Sequence, residues 1–126
     1  MGSWGVGMPG AVKLDLYGDQ LFNVFGGCPY LVGSALTMTQ WRDVDVRVIL
    51  SDEDFVAMFP GLHPGDEHRC AKWVAMCLAF SALGKEMTGL PIDFQIQQQS
   101  SANEMFKGTR SAIGIVEHRI TKKAEE

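Results

Sequence analysis

Between Asp43 and Leu50 the chain reads Asp-Val-Asp-Val-Arg-Val-Ile-Leu, an alternation that an extended strand turns into two chemically different faces. Val44, Val46, Val48 and Leu50 go to one face and build core. Asp43, Asp45, Arg47 and Ile49 go to the other, which carries function or meets solvent. The same period returns where Ile92, Phe94 and Ile96 alternate with Asp93, Gln95 and Gln97, so a second strand with one polar face is expected.

Around these two strands the remaining elements fall into place. Apolar residues Val12, Leu14, Leu16, Leu21, Phe22 and Phe25 fit a helix over 11–25, weakened in the middle by Gly18 and ended by Gly26-Gly27. Tyr30-Leu31-Val32, bounded by Pro29 and Gly33, reads as a brief buried strand. Ser51 caps a short helix around Phe55 to Met58, whose first turn is acidic, and Pro60 and Pro64 then break the chain. The spacing of Cys70, Trp73, Val74, Cys77, Leu78 and Ser81 predicts a long helix over 66–85, with Gly84 and Lys85 at its end. Residues 97–107 suit a helix or a frayed segment, and 112–120 an edge strand or tail. The order helix, strand, strand, helices, strand predicts an α/β or α+β fold on a small mixed β-sheet. Residues 1–10, rich in glycine, are a flexible N-terminal segment, 11–120 a single domain and 121–126 a C-terminal tail.

A chain of 126 residues with 46% hydrophobic and 21% charged residues has the composition of one ordinary globular domain. Its net charge of −4, with Lys122-Lys123 as the sole basic pair in sequence apart from its flanks, makes bulk polyanion binding a poor expectation. Cys28, Cys70 and Cys77 are odd in number and lack Cys-x-x-Cys spacing, which argues against a disulfide framework or a zinc site and for reduced cytosol. No run approaches the roughly 18 apolar residues of a membrane span, and the glycine-rich start lacks the layout of a signal peptide. A cytoplasmic protein with no membrane partner is expected. Met1-Gly2-Ser3 reads equally as a cloning remnant or as the natural start.

Asp43 and Asp45 leave the same face of their strand, and two carboxylates side by side repel unless a cation sits between them. A hard divalent cation such as Mg²⁺ suits that place, because it takes oxygen ligands and keeps positions open for phosphate. If the two polar-faced strands are neighbours, Asp93 completes a three-carboxylate cluster able to hold two metals about 3.5–4 Å apart. Taken alone, Asp-x-Asp serves equally well as the solvent face of an edge strand. Gly33-Ser34, at the end of an apolar strand, offers backbone N–H groups and a hydroxyl to a phosphate, though it is also an ordinary turn.

The order of these pieces resembles the polymerase-beta-like nucleotidyltransferase superfamily: Leu31-Val32-Gly33-Ser34, a spacer from Ala35 to Arg42, Asp43-Val44-Asp45-Val46, and later Ile92-Asp93-Phe94. The resemblance covers Tyr30 to Gln97 and is nearest to the minimal, single-domain members, which implies a short mixed sheet with helices packed mainly on one face. It further implies metal-dependent transfer of a nucleoside monophosphate from a nucleoside triphosphate to a hydroxyl acceptor, with Mg²⁺ or Mn²⁺ at a two-metal site. Asp43, Asp45 and Asp93 would be both metal ligands and catalytic, Asp93 helping to activate the acceptor, while Gly33 and Ser34 hold the triphosphate. Where such members carry basic residues after Gly-Ser, this chain has Ala35-Leu36-Thr37-Met38-Thr39-Gln40, so Arg42, Arg47 or Lys85 must supply the cation at phosphate. With no separate acceptor-binding domain, the acceptor, whether small molecule, protein or RNA, must sit on this core, across a homodimer interface or on a partner protein.

Neutralising Asp45 is the plainer task for Arg47 than clamping phosphate. Gln95 and Gln97 share the face of Asp93 and suit contacts to base or ribose as well as solvated strand positions. His63, His68 and Cys70 match no zinc spacing, and Trp73, Cys77 and Phe80 read as core. The rival reading is a non-catalytic nucleotidyltransferase-fold module that binds or regulates, such as one half of a toxin–antitoxin-type pair.

Overall fold

The computed structural model describes residues 10–33, 43–105 and 110–114. In chain order the elements are α1 (Gly10–Phe25), β1 (Pro29–Val32), β2 (Val44–Leu50), α2 (Asp52–Met58), α3 (Ala71–Thr88), β3 (Ile92–Gln98), α4 (Gln99–Met105) and β4 (Ser111–Ala112), with a 3₁₀ turn at Glu67–Arg69. The four strands form one mixed sheet in the order β3-β2-β1-β4. β1 runs antiparallel to β2 and to β4, whereas β2 and β3 are parallel. The chain is thus a small α+β fold on a mixed sheet, as its element order predicts.

β2 is the central strand, and its burial shows it. Every residue from Val44 to Leu50 is buried except Asp45, which is half-buried. The valines and Leu50 join Leu14, Tyr17 and Leu21 of α1 and Phe94 and Ile96 of β3 in the main core. Arg47 and Ile49 are buried as well, so the second face is not the open surface that alternation alone suggests. The edge-strand explanation of Asp-x-Asp fails here, because β2 has a hydrogen-bonded neighbour on each side.

Two expectations about helices are corrected. The long helix starts at Ala71, not at 66: the Glu67 carboxylate accepts from Gly65 N–H at 3.0 Å, closing a tight turn, and extended Cys70 separates this turn from α3. Nor does the helix stop at Gly84. It continues to Thr88 and ends on Gly89, whose φ of 72° suits a residue without a Cβ. Gly84 is buried because a Cβ there would come within 2.8 Å of the Tyr17 ring and 2.9 Å of Ile92. Its absence lets α1 approach α3, where the Tyr17 hydroxyl donates to Phe80 O at 2.7 Å. On α1, Val12 and Leu16 are exposed, while Ala11, Leu14, Tyr17, Gly18 and Leu21 form the buried stripe at helical spacing.

α3 also covers the free edge of β3. Ser81 Oγ accepts from Phe94 N–H at 2.9 Å and Trp73 Nε1 donates to Ile96 O at 2.9 Å. An edge strand whose polar groups are taken up in this way is a poor template for pairing with another chain. Phe25, Phe80 and Phe94 lock α1, α3 and β3 together, with ring centroids 5.0–5.7 Å apart. The uncertain C-terminal reading resolves into α4 at 99–105 and a two-residue edge strand at 111–112, while 115–120 lie outside the described residues.

Gly18 is the other close contact. A Cβ at this position would lie 2.8 Å from Ile113 C and 2.9 Å from Gly114 N, both backbone atoms. Gly18→Ala should therefore lose about 1–3 kcal/mol of stability through overpacking, despite the roughly 1 kcal/mol that alanine gains in a helix. Urea denaturation measures this directly; a more stable variant would show that residues 110–114 do not pack against α1 as described.

Candidate active site

The parallel register of β2 and β3 pairs Val44 with Ile92, Asp45 with Asp93, and Val46 with Phe94. Directly opposed residues on neighbouring strands about 4.8 Å apart point to the same face, so the two carboxylates stand side by side. The Asp45 side chain is 26% exposed and that of Asp93 43%. The two acids are close enough for a side-chain hydrogen bond between them. Asp43 lies just before β2, is exposed, and acts on Asp45 through its charge.

Burial is the main reason the Asp45 carboxyl titrates above the ordinary aspartate value. The Arg47 guanidinium opposes this, and the charges of Asp93 and Asp43 reinforce it. Arg47 does less to neutralise the pair than its position in the sequence suggests. Its Nη2 stays 3.8 Å from Asp45 Oδ1 and 3.6 Å from Asp93 Oδ2, beyond hydrogen-bond distance. Its close contacts are to backbone: Nη1 donates to Asp93 O at 2.7 Å and to Val46 O at 3.0 Å, while buried Nε has no hydrogen-bond partner. Arg47 thus stands near both acids while carbonyl groups hold it.

Gly33 completes the described site. With φ of 76° it occupies a conformation that favours glycine, and a Cβ on it would collide with Asp45 Oδ2. The missing side chain makes room first for the Asp45 carboxylate, a role that the Gly-Ser dipeptide does not disclose. Val32 pairs with Asp45 across β1 and β2, so the turn at Gly33 begins beside the acids. Ser34 and Arg42 lie outside the described residues.

An all-oxygen donor set, two adjacent carboxylates and a carboxyl group held protonated too readily together fit a hard divalent cation. Mg²⁺ commonly takes one or two carboxylates and completes its shell with water and phosphate. Among the described residues no group of three His, Cys, Asp or Glu side chains that could hold a metal ion is found, so Asp43 does not join Asp45 and Asp93 in the expected three-carboxylate cluster. The fit is to an open site that substrate oxygens would finish.

Gln95 is half-buried beside the acids, whereas Gln97 is 8% exposed and its Oε1 lacks a hydrogen-bond partner, so Gln97 is not a solvated strand position. Trp73 is likewise not plain core: it is half-buried and braces the β3 edge. The period-two pattern carries the positions of Asp45 and Asp93, but no local signal announces the burial of Arg47 or the contact between Gly33 and Asp45. No family model, no curated protein and no solved structure matches this chain.

The raised Asp45 pKa has a signed consequence for stability. The folded state keeps the Asp45 proton to higher pH than the unfolded chain, so the contribution of this group is fully present below 3.8 and is lost as pH rises through the folded pKa. Asp45→Asn should raise the melting temperature at about pH 7, with the gain fading by about pH 3. Mg²⁺ at neutral pH should raise the melting temperature of the parent and leave the variant nearly unmoved. A parent insensitive to Mg²⁺ and Mn²⁺ would contradict the metal reading.

Proposed function

We propose that the chain is a metal-dependent nucleotidyltransferase that moves a nucleoside monophosphate from a nucleoside triphosphate to a hydroxyl group. The observation that carries this reading is the in-register pair Asp45–Asp93 on parallel neighbouring strands, with Asp43 before it and the Gly33 turn at its side. Asp45 and Asp93 would hold Mg²⁺ or Mn²⁺ together, and Asp43 is the ligand available for a second ion. Bound there, the metal supplies positive charge for the phosphates and lowers the pKa of an acceptor hydroxyl.

The chain's own residues account for the rest. The Gly33 backbone and the Ser34 hydroxyl would receive the triphosphate tail, with Arg42 as the nearby cation in sequence. Asp93, the more exposed of the paired acids, would help to take up the acceptor's proton. The acceptor oxygen then forms its bond to the α-phosphorus as the bond to the bridging oxygen breaks, and pyrophosphate leaves with the electron pair. Arg47, fixed on Asp93 O and Val46 O, would keep β2 and β3 in register and temper the repulsion between the acids.

Free cysteines at 28, 70 and 77 suit a reducing compartment, and the reading places the protein in the cytoplasm, where nucleoside triphosphates are made. No helix among the described residues is long and apolar enough to cross a membrane. A homodimer or a partner protein remains part of the reading as a source of acceptor contacts. One observation favours the rival, a non-catalytic module: the Arg47 cation already stands within 4 Å of both acids, where it can act in place of a metal.

Incubation with labelled nucleoside triphosphates, Mn²⁺ or Mg²⁺ and a panel of acceptors separates the two. Transfer of label should occur in the parent and fall by more than about 100-fold in Asp45→Asn, exceeding the loss that follows removal of an outer-shell partner of a metal. Nucleotide binding without transfer by the parent would establish the module instead.

A further inference from the structure

Arg47 shares a strand face with Asp45 and stands across from Gln95 on β3, the next position after Asp93 on that face. Only 7% exposed, it is held on two sides. Nη1 donates to Asp93 O and Val46 O, and Nη2 stands 3.6 Å from Asp93 Oδ2 and 3.8 Å from Asp45 Oδ1. Buried Nε has no hydrogen-bond partner, so the two carbonyl groups and the two carboxylates are what keep the guanidinium there. Swinging it away would cost both hydrogen bonds. Arginine, unlike lysine, does not give up its proton when buried. The paired acids therefore have a fixed positive charge built in, and any cation that binds them shares them with Arg47.

We propose that Arg47 sets the order in which this site fills: it holds the affinity for a free divalent cation low without abolishing it, and the cation enters mainly together with the nucleoside triphosphate. The proposal rests on the nucleotidyl-transfer reading and concerns how the same site is loaded. Charge arithmetic carries it. With both carboxylates ionised, Asp45 and Asp93 contribute two negative charges and Arg47 one positive, which leaves one negative charge for a divalent cation to meet. Asp43, exposed before β2, adds a charge that solvent screens. Taken up alone, the cation leaves a surplus positive charge in a half-buried place, where screening is weak. Taken up with phosphates, it arrives on a ligand that is itself negative, and the same guanidinium then attracts what the site receives. The sign of the Arg47 contribution thus reverses between metal alone and metal with nucleotide.

The test compares two titrations at about pH 8, where aspartate is ordinarily ionised. Mn²⁺ alone is counted by the electron paramagnetic resonance of the unbound ion, and the preformed complex of Mn²⁺ with a non-hydrolysable nucleoside triphosphate is followed by calorimetry. The unsubstituted chain should bind the complex at least about tenfold more tightly than Mn²⁺ alone. Arg47→Gln, which keeps a side-chain donor for the carbonyl groups but no charge, should tighten Mn²⁺ alone by about tenfold and weaken the complex. Arg47→Lys, which keeps the charge, should bind Mn²⁺ alone within about threefold of the parent. Arg47→Met, of similar length and uncharged, repeats the comparison if the glutamine variant does not fold. Damage to the fold weakens both titrations together and does not produce these opposed changes. Mn²⁺ alone bound no more tightly by the uncharged variants, equal tightening by Arg47→Lys, or a parent that binds Mn²⁺ alone as tightly as the complex would overturn the proposal. Mn²⁺ bound by none of these chains, alone or with nucleotide, would overturn the metal reading and this proposal with it. The opposed changes without any nucleotidyl transfer would overturn the catalytic reading alone.

Discussion

The parallel, in-register pairing of β2 with β3 is the constraint on which the rest of the molecule depends. It sets Asp45 opposite Asp93, and it makes β2 a central strand buried on both faces. A shift of one residue would put Asp93 on the core side and Phe94 among the acids. The register is protected from both faces: by the apolar ladder of Val44, Val46 and Val48 against Ile92, Phe94 and Ile96, and by Arg47, which reaches across to Asp93 O. The helix α3 then seals the outer edge through Ser81 and Trp73.

That arrangement places like charges together at a cost. Asp45 sits in a half-buried position with a second carboxylate alongside, and its only nearby cation among the described residues spends its short hydrogen bonds on backbone carbonyls. A structure built for stability alone gains nothing from such a pair. Proteins retain unfavourable groups of this kind where activity needs them. A bound cation would convert the repulsion into attraction, which is the physical basis for preferring the metal-dependent reading over a bare structural one.

Much of this was legible in the sequence, for identifiable reasons. Strict alternation at 43–50 and 92–97 gave both strands and the side on which each acid emerges, and Ser51 followed by acids gave α2 with its cap, where Asp54 N–H donates to Ser51 Oγ. What the sequence hid was tertiary. Gly18 read as a weak point within a helix and Gly84 as a helix end because the reason for each, a neighbour too close for a Cβ, lies far along the chain. Arg47 read as the neutraliser of Asp45, and nothing local shows that it is buried with its short hydrogen bonds on backbone carbonyls. For Gln97 the sequence left a base or ribose contact and a solvated position equally open, and its burial removes the second. Gly33 was singled out as a place for phosphate, whereas the neighbour its missing Cβ makes room for is the Asp45 carboxylate, a contact between strands.

The central claim is that Asp45 and Asp93 share a divalent cation in the presence of nucleotide. The most direct measurement is a crystal structure with Mn²⁺ and a non-hydrolysable nucleoside triphosphate, the metal located by its anomalous scattering. The account predicts a Mn²⁺ peak bridging the two carboxylates, with metal–oxygen distances near the roughly 2.1 Å typical of small divalent ions and a phosphate oxygen in the same shell. A peak elsewhere, or nucleotide bound with Arg47 still the only cation between Asp45 and Asp93, would contradict it.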